Sequence, residues 1–410
     1  MDDGTNGPAG GQSGGVPAAG RSPAPDGPSQ RLVYDGRLGA LYRIFIVNLL
    51  LALATLGIYR FWGKTRMRRY LWSHVSYDGD RLEYTGTGGE LFRGFLIVAA
   101  ILVVLGLLLG LAQLAVMILL VEDPGTQIVL QQAASALFYV VAFFLVLLGH
   151  YTALRYRLTR TRWRGIRGGL SGSAWRYAWT AFRYVLLRIA TLGLYAPFAT
   201  VRLWAYRINN VHFGTARASF EGSGRQIFKP FLISFLASLA AFAVAFGGAW
   251  LAEGGAIEHA VALLDADVGP GRTAKGGVEA RVPLAMVTLA RFIAIFVALS
   301  LLASFIALVA HCWYWTKLLS LMARGTMIAG LRFSATPRTG RLWWLIAGNF
   351  LIGLFTLGLG LPIVLHRLWR FVAENLHIEG VIDGAAIAQS QQLAPSRGEG
   401  VLEVLDPSPF

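Results

Sequence analysis

Thr55-Leu56-Gly57-Ile58-Tyr59 recurs 136 residues later as Thr191-Leu192-Gly193-Leu194-Tyr195, and Thr356-Leu357-Gly358 is a third copy, 301 residues after the first. The first offset holds without a gap for almost forty residues: it aligns Arg66 with Arg202, Tyr70 with Tyr206, Gly88 with Gly224 and Phe95 with Phe231. The second aligns Asn48 with Asn349, Arg66 with Arg367 and Gly79 with Gly380. Ungapped self-similarity of this length marks a repeated structural unit. Each copy runs from an apolar segment carrying Thr-Leu-Gly into a basic amphipathic stretch. An aromatic and glycine segment follows, and in the first two copies it leads to a long apolar hairpin.

The surroundings of these copies are too apolar for a soluble chain. Hydrophobic residues make up 55%, charged residues only 14%, and the mean hydropathy is +0.54. Phe95 to Val121, Ser135 to Leu154, Phe231 to Ala252 and Phe292 to Ala310 contain no Asp, Glu, Lys or Arg, and a helix of about 20 such residues crosses a bilayer. The fold class expected is an all-α membrane protein: a polytopic helical bundle of two and a half internal repeats. Short hairpins or loops at 75–84 and 211–220 are expected on its cytoplasmic surface, where alternation and turn residues coincide. The organisation expected is a disordered tail over 1–30, repeats over 31–162 and 163–332, a partial repeat over 333–388 and a second tail over 389–410. Residues 1–30 hold no apolar stretch, so they do not read as a signal peptide. Gly106-x-x-x-Gly110 and Ala243-x-x-x-Gly247 offer flat faces for helix packing.

Residues 55–62, Thr-Leu-Gly-Ile-Tyr-Arg-Phe-Trp, and 78–88, Asp-Gly-Asp-Arg-Leu-Glu-Tyr-Thr-Gly-Thr-Gly, make the chain resemble the YjgN family of bacterial inner-membrane proteins. The resemblance covers roughly residues 34–383 and is strongest in the first copy. The second copy has Gly214-Thr215 where the first has Asp78-Gly79. That family is a domain of unknown function, so the resemblance implies the bacterial inner (plasma) membrane and a multi-pass architecture, with no activity to carry over.

Charge placement constrains topology. Ile44 to Tyr59, Tyr184 to Val201 and Leu342 to Leu365 are three further apolar segments, and seven alternating spans would put strongly basic connections outside. Residues 60–93 and 155–183 hold seven and eight basic side chains, whereas 122–134 hold none. Four spans plus three Thr-Leu-Gly segments that enter and leave on the cytoplasmic side keep every basic connection and both termini inside, as the positive-inside rule requires. Seven spans with a weakly obeyed charge rule is the alternative.

The candidate site residues follow from this arrangement. After each Thr-Leu-Gly, apolar positions recur at helical spacing with arginines between them. Arg66, Arg69, Arg202, Arg207, Arg367 and Arg370 are therefore candidates to meet anionic phospholipid headgroups, or else plain topology anchors. Inside apolar segments, Asn48, Arg188 and Asn349 are candidate solute-binding residues, because a buried charge or amide in lipid demands a partner; for Arg188 the alternative is snorkelling to the interface. His150 and His311, at matching places in the two long hairpins, are further candidate substrate-binding residues that could meet as a proton or metal site, or else simple interfacial residues. Thr87-x-x-Glu90 and Ser223-x-x-Gln226 read as capping boxes. Gly63-Lys64-Thr65 lacks the first glycine of a P-loop, since Ile58 stands there. No hydrolase signature is present, one cysteine excludes an intrachain disulfide, and neither an enzyme, a cofactor, a metal nor a nucleic-acid partner is expected. Two function classes remain: a transporter or channel for a small anionic solute, which the repeated breaks and Arg188 favour, and a non-transporting module that binds anionic headgroups. Cysteines placed at Gln127 and Ala266 should react with an impermeant thiol reagent applied outside intact cells, and cysteines at Ser73, Ser173 and Ser334 should not; labelling of any of the latter three sinks the four-span topology.

Overall fold

A computed structural model describes residues 30–119, 124–265 and 278–380; the expected tails, apart from Gln30 in the first, and Ala266 lie outside them or at their margin. The described residues build five units, each a pair of helices, the first four closed at the base by a small β-hairpin and the fifth by a single strand. The first strand segments are β1 (Gln30–Arg31) and β2 (Val33–Tyr34). Unit one is α1 (Leu38–Ala54), α2 (Arg60–Ser73), β3 (Val75–Tyr77) and β4 (Asp80–Tyr84). Unit two is α3 (Gly88–Leu119), α4 (Pro124–Thr159), β5 (Thr161–Trp163) and β6 (Ile166–Leu170). Unit three is α5 (Ala174–Ala190), α6 (Ala196–Ile208), β7 (Val211–Phe213) and β8 (Ala216–Phe220). Unit four is α7 (Arg225–Asp265), α8 (Val278–Arg324), β9 (Thr326–Ile328) and β10 (Leu331–Ala335). Unit five is α9 (Thr339–Phe355), α10 (Leu361–Asn375) and β11 (Leu376–Glu379).

Each helix packs against the next, and α10 packs against α1, so the ten helices form a closed ring. Units one, three and five carry the Thr-Leu-Gly turns and have short helices. Units two and four hold the four helices that, among the described residues, are long and apolar enough to cross a membrane: Gly88–Ile118, Pro124–Thr159, Arg225–Glu258 and Met286–Arg324. The short units double back. Tyr34 pairs with Val75, so the start of α1 and the end of α2 stand at the same sheet position. Leu170 pairs with Val211 and Ala335 with Leu376, which does the same for units three and five.

The expectation of an all-α protein is overturned by the strands. They form one antiparallel sheet in the order β1-β11-β10-β9-β8-β7-β6-β5-β4-β3-β2. The hairpins at 75–84 and 211–220 are present, but as parts of this sheet. β1 and β2 are two halves of one segment broken at Leu32: Gln30 pairs with Ile378 and Val33 with Ser76, so the N-terminal segment joins the two ends of the order and closes a barrel. Closure removes the free edges an open sheet would present. Among the described residues unit five has one strand, and the N-terminal segment pairs beside it where a second would lie.

The local chemistry explains the tight hairpins. Asp78-Gly79, Arg164-Gly165 and Ala329-Gly330 all have positive φ at both turn positions, 51° and 79°, 50° and 75°, 53° and 79°, the backbone of a two-residue turn that follows strand twist. Side-chain alternation then fills the bore. Leu331 and Phe333 point inward and Arg332 outward; Tyr77, Trp163, Leu331 and Ile378 form a buried cluster with Leu32, Leu82, Phe213 and Phe333 around it. The Tyr77 and Trp163 rings are 5.7 Å apart, and Trp163 and Phe213 are 5.9 Å apart. Ion pairs bind adjacent turns: Arg164 reaches Asp78 at 2.8 Å and Asp80 at 2.5 Å.

The small-residue faces are not used as expected. A Cβ on Gly106, Gly110 or Gly247 would meet nothing, whereas α7 approaches α8 through Gly248, whose added Cβ would lie 3.1 Å from Leu299, and through buried Ala245 and Ala249. Deleting residues 1–34 should leave the helices inserted but open the barrel, lowering the melting temperature in detergent and producing edge-to-edge oligomers on size exclusion; an unchanged melting point and a single unchanged peak would contradict closure by this segment.

Candidate functional site

The three Thr-Leu-Gly turns share one construction. Thr55 Oγ1 donates to Leu51 O at 2.7 Å and accepts from Tyr59 N at 2.9 Å. Thr191 does the same with Leu187 O (2.7 Å) and Tyr195 N (3.0 Å), and Thr356 with Ile352 O (2.5 Å) and Gly360 N (2.8 Å). One hydroxyl thus caps the end of one helix and the start of the next. The glycines at 57, 193 and 358 have φ of 88°, 91° and 89°, and their amides donate to carbonyls five residues back, as in a Schellman cap. The turn therefore pairs its own backbone groups, which a segment inside hydrocarbon must do. The leucines between are unusual: Leu56, Leu192 and Leu357 sit at φ 51°, 49° and 48° and are 95%, 84% and 90% exposed. A side chain at positive φ carries a conformational cost that glycine avoids, so each tip holds out an apolar group against that cost.

The candidate solute-binding residues do not converge. Asn48 on α1 donates to Gly63 O on α2 at 3.2 Å. Arg188 on α5 donates to Ala196 O at 3.3 Å and to Thr200 Oγ1 at 2.8 Å, both on α6. Asn349 is half-buried on α9, and its Oδ1 has no hydrogen-bond partner among the described residues. His311 on α8 lies 3.3 Å from Ser234 Oγ and 3.4 Å from Ser238 Oγ on α7. In unit two, Gln113 on α3 donates to Ser135 on α4 at 3.1 Å. These contacts fasten the two helices of one unit. His150 differs: its Nε2 lies 3.4 Å from Arg207 and so links α4 to α6. The two histidines keep separate partners, and no group of three or more His, Cys, Asp or Glu gathers among the described residues.

The six arginines divide. Arg66, Arg69, Arg202 and Arg370 are exposed. Arg66 and Arg69 continue a stripe from exposed Trp62, with Arg69 also donating to Gly86 O at 3.3 Å. Arg202 donates to Tyr195 Oη at 2.6 Å, and Arg370 pairs with Glu374 at 2.8 Å. Arg207 is half-buried over the Trp204 ring at 5.3 Å. Arg367 turns back to Trp344 O at 3.0 Å, into room left by Gly348.

Several structural residues escaped the sequence. Arg68 is wholly buried and donates to Tyr84 Oη at 3.3 Å. Glu90, expected only as a cap, accepts from Thr87 N at 3.4 Å, from Tyr156 Oη at 2.6 Å and from Arg160 at 2.6 Å, tying α3 to α4. Gly88 and Gly224 occupy equivalent places, and a Cβ on either would come within 2.7 Å of a Cα, that of Trp62 or of Phe198; this close approach is why glycine stands there. In the sheet, burial pushes the Tyr34 hydroxyl up to about 12 and holds the His212 imidazole below its usual range, Arg167 and Arg217 acting in the same sense on His212.

The apolar helices and the repeat agree with comparison to known proteins. The family described as "Bacterial protein of unknown function (DUF898)" matches residues 29–404. The chain belongs to the DUF898 family. Curated relatives named inner membrane protein YjgN include those of Salmonella typhimurium, 37% identical over 79 residues (19% of this chain, 20% of the relative), and Escherichia coli O157:H7, 38% identical over 72 residues (18% of each). That of Escherichia coli K12 is 39% identical over 67 residues (16% and 17%). The aligned stretches span a fifth or less of these relatives. No solved structure matches. This DUF898 chain is thus a membrane protein, and the inner membrane is the location its relatives' name supports.

For the DUF898 turns, replacing Thr191 by the isosteric valine leaves Tyr195 N unpaired and should lower stability by about 1–3 kcal/mol, whereas serine should be nearly neutral; equal effects of valine and serine on unfolding in detergent would show that the hydroxyl contributes nothing.

Proposed function

We propose that this DUF898 protein is a non-transporting inner-membrane module that binds anionic phospholipid headgroups on its sheet side. The observation that carries the reading is the division of polar residues. Arg66, Arg69, Arg202 and Arg370 stand exposed on α2, α6 and α10, while Asn48 and Arg188, on which transport would rest, bond inside their own helix pairs. The cavity in the barrel bore and the one between α6, α8 and α10 are not lined by Asn48, Arg188 or Asn349.

The sheet side is the cytoplasmic side in this reading, with both termini there. Its support is the positive-inside rule, because the basic connections are the ones that carry the β-hairpins. The short units enter from that side. A 17-residue helix such as α1 reaches about 25 Å, less than the roughly 30 Å hydrocarbon thickness, so the exposed tip leucines meet acyl chains. The arginines are then at headgroup depth, where each contributes about 1 kcal/mol toward an anionic surface. The reading assigns no catalytic step.

Purified protein should retain phosphatidylglycerol or cardiolipin over phosphatidylcholine in native mass spectrometry. The combined Arg66→Gln, Arg202→Gln, Arg370→Gln variant should lose that preference by roughly five-fold per arginine at most. An undiminished preference contradicts the proposal. Flux of a small anionic solute into proteoliposomes that Arg188→Ala abolishes, with the protein still inserted, would favour transport instead.

A further inference from the structure

Two of the protein's cavities, both partly open, adjoin β10. One, of about 270 Å³, occupies the barrel bore beside Tyr77, Trp163, Phe213 and Leu331. The other, of about 410 Å³, lies between α6, α8 and α10 beside Trp204, Met322, Ala323, Phe371 and Val372. Phe333 lines both. Residues 331, 333 and 335 share one face of β10; Leu331 lines the bore, Ala335 lines the upper cavity, and Phe333 stands between. The cavities are therefore stacked along that strand with one phenyl ring at their junction.

We propose that the two cavities form a single site for the acyl chain of a phospholipid, divided by Phe333. The upper lining offers few polar groups to a ligand, chiefly Trp204 Nε1, which has no hydrogen-bond partner among the described residues. In the upper cavity Asn375 Nδ2 donates to Phe371 O at 2.8 Å, and Thr326 Oγ1 to Met322 O at 2.7 Å, so both groups turn back on their own backbone. The bore is walled mainly by aromatic and aliphatic side chains, with Thr161, Arg162 and His212 also at the wall, and burial holds the His212 imidazole below its usual range. A sugar or nucleotide would leave its hydroxyls unpaired, which disfavours it strongly; a hydrocarbon chain has none to pair. Together the volumes fall within the about 300–1,000 Å³ of small-molecule sites. Charge complementarity points to an anionic lipid, because Arg207 lies over the ring of Trp204, a wall of the upper cavity, at 5.3 Å. In its headgroup preference the inference rests on the function proposed above; the chain site itself does not.

The test uses the full chain in nanodiscs containing phosphatidylglycerol with a photoreactive diazirine near the end of one acyl chain, and a phosphatidylcholine with the same tail. Phosphatidylglycerol should label peptides carrying Met322, Phe333 and Phe371 as well as lipid-facing α3. Ala323→Phe, which fills the upper cavity, should cut labelling at Phe371 about tenfold or more while labelling of α3 is unchanged. Phe333→Ala should carry the label down to Trp163 and Leu331. Labelling confined to outer helix faces in the unaltered protein overturns the chain site, as does labelling at Phe371 that neither substitution changes. Equal cavity labelling by the two lipids supports the chain site and overturns the anionic preference, so the two readings fail separately.

Discussion

A single closed ladder of strands fixes the base of all five helix pairs. Helices in hydrocarbon gain nothing from hydrophobic association with one another, since lipid tails are as apolar as leucine. Their positions must be set by something else. Here the pairs Tyr34 with Val75, Tyr84 with Thr161, Leu170 with Val211, Phe220 with Thr326 and Ala335 with Leu376 each bracket the two helix ends of one unit. The ladder holds only if it closes, because an open sheet would leave β11 and β3 with unpaired edges. The segment Gln30–Tyr34 supplies that closure from the opposite end of the chain.

The same requirement for paired backbone groups governs the membrane end. A long unit satisfies it by being helical throughout. A short unit must reverse between its two helices, and threonine lets it do so with one hydroxyl serving both, while glycine accepts the left-handed backbone. The leucine between them costs conformational energy and makes no compensating contact within the chain. All three tip leucines are 84% or more exposed, and under the function proposed above the surroundings of the tips are acyl chains.

Much of this was legible in the sequence, and the missing part has a physical cause. Apolar runs gave the four long helices, because length and charge exclusion are local properties. The capping residue Thr87 with Glu90 was legible for the same reason. The barrel was not, since its strands are two to five residues long and their partners lie as far apart as Gln30 and Ile378. Asp78-Gly79 suggested one hairpin; Arg164-Gly165 and Ala329-Gly330 carry the same left-handed turn in less familiar residues. At the candidate site, the sequence singles out Asn48 and Arg188 as polar residues inside apolar segments and candidate solute-binding groups. Their partners, Gly63 O, Ala196 O and Thr200, sit across a turn whose geometry the hydropathy pattern does not contain.

That pairing also bears on what kind of molecule this is. A transporter needs polar groups left available along its axis to replace the hydration of a solute. Here Asn48, Gln113, Arg188 and His311 each bond across the two helices of their own unit, while Asn48 Oδ1 and Arg188 Nε have no partner among the described residues. The cavities beside β10 are walled mostly by apolar groups, the Tyr77, Trp163 and Phe213 rings in the bore and Met322, Phe371 and Val372 above it, with Thr161, Arg162, His212, Thr326 and Asn375 among them. A lining of this kind raises the barrier for an ion or a hydrophilic solute, since each would lose its water without compensation, and it lowers the free energy of an apolar chain. The physical chemistry of the interior therefore sides with lipid on both counts: basic groups at the rim complement a headgroup, and an apolar column behind them accommodates a tail.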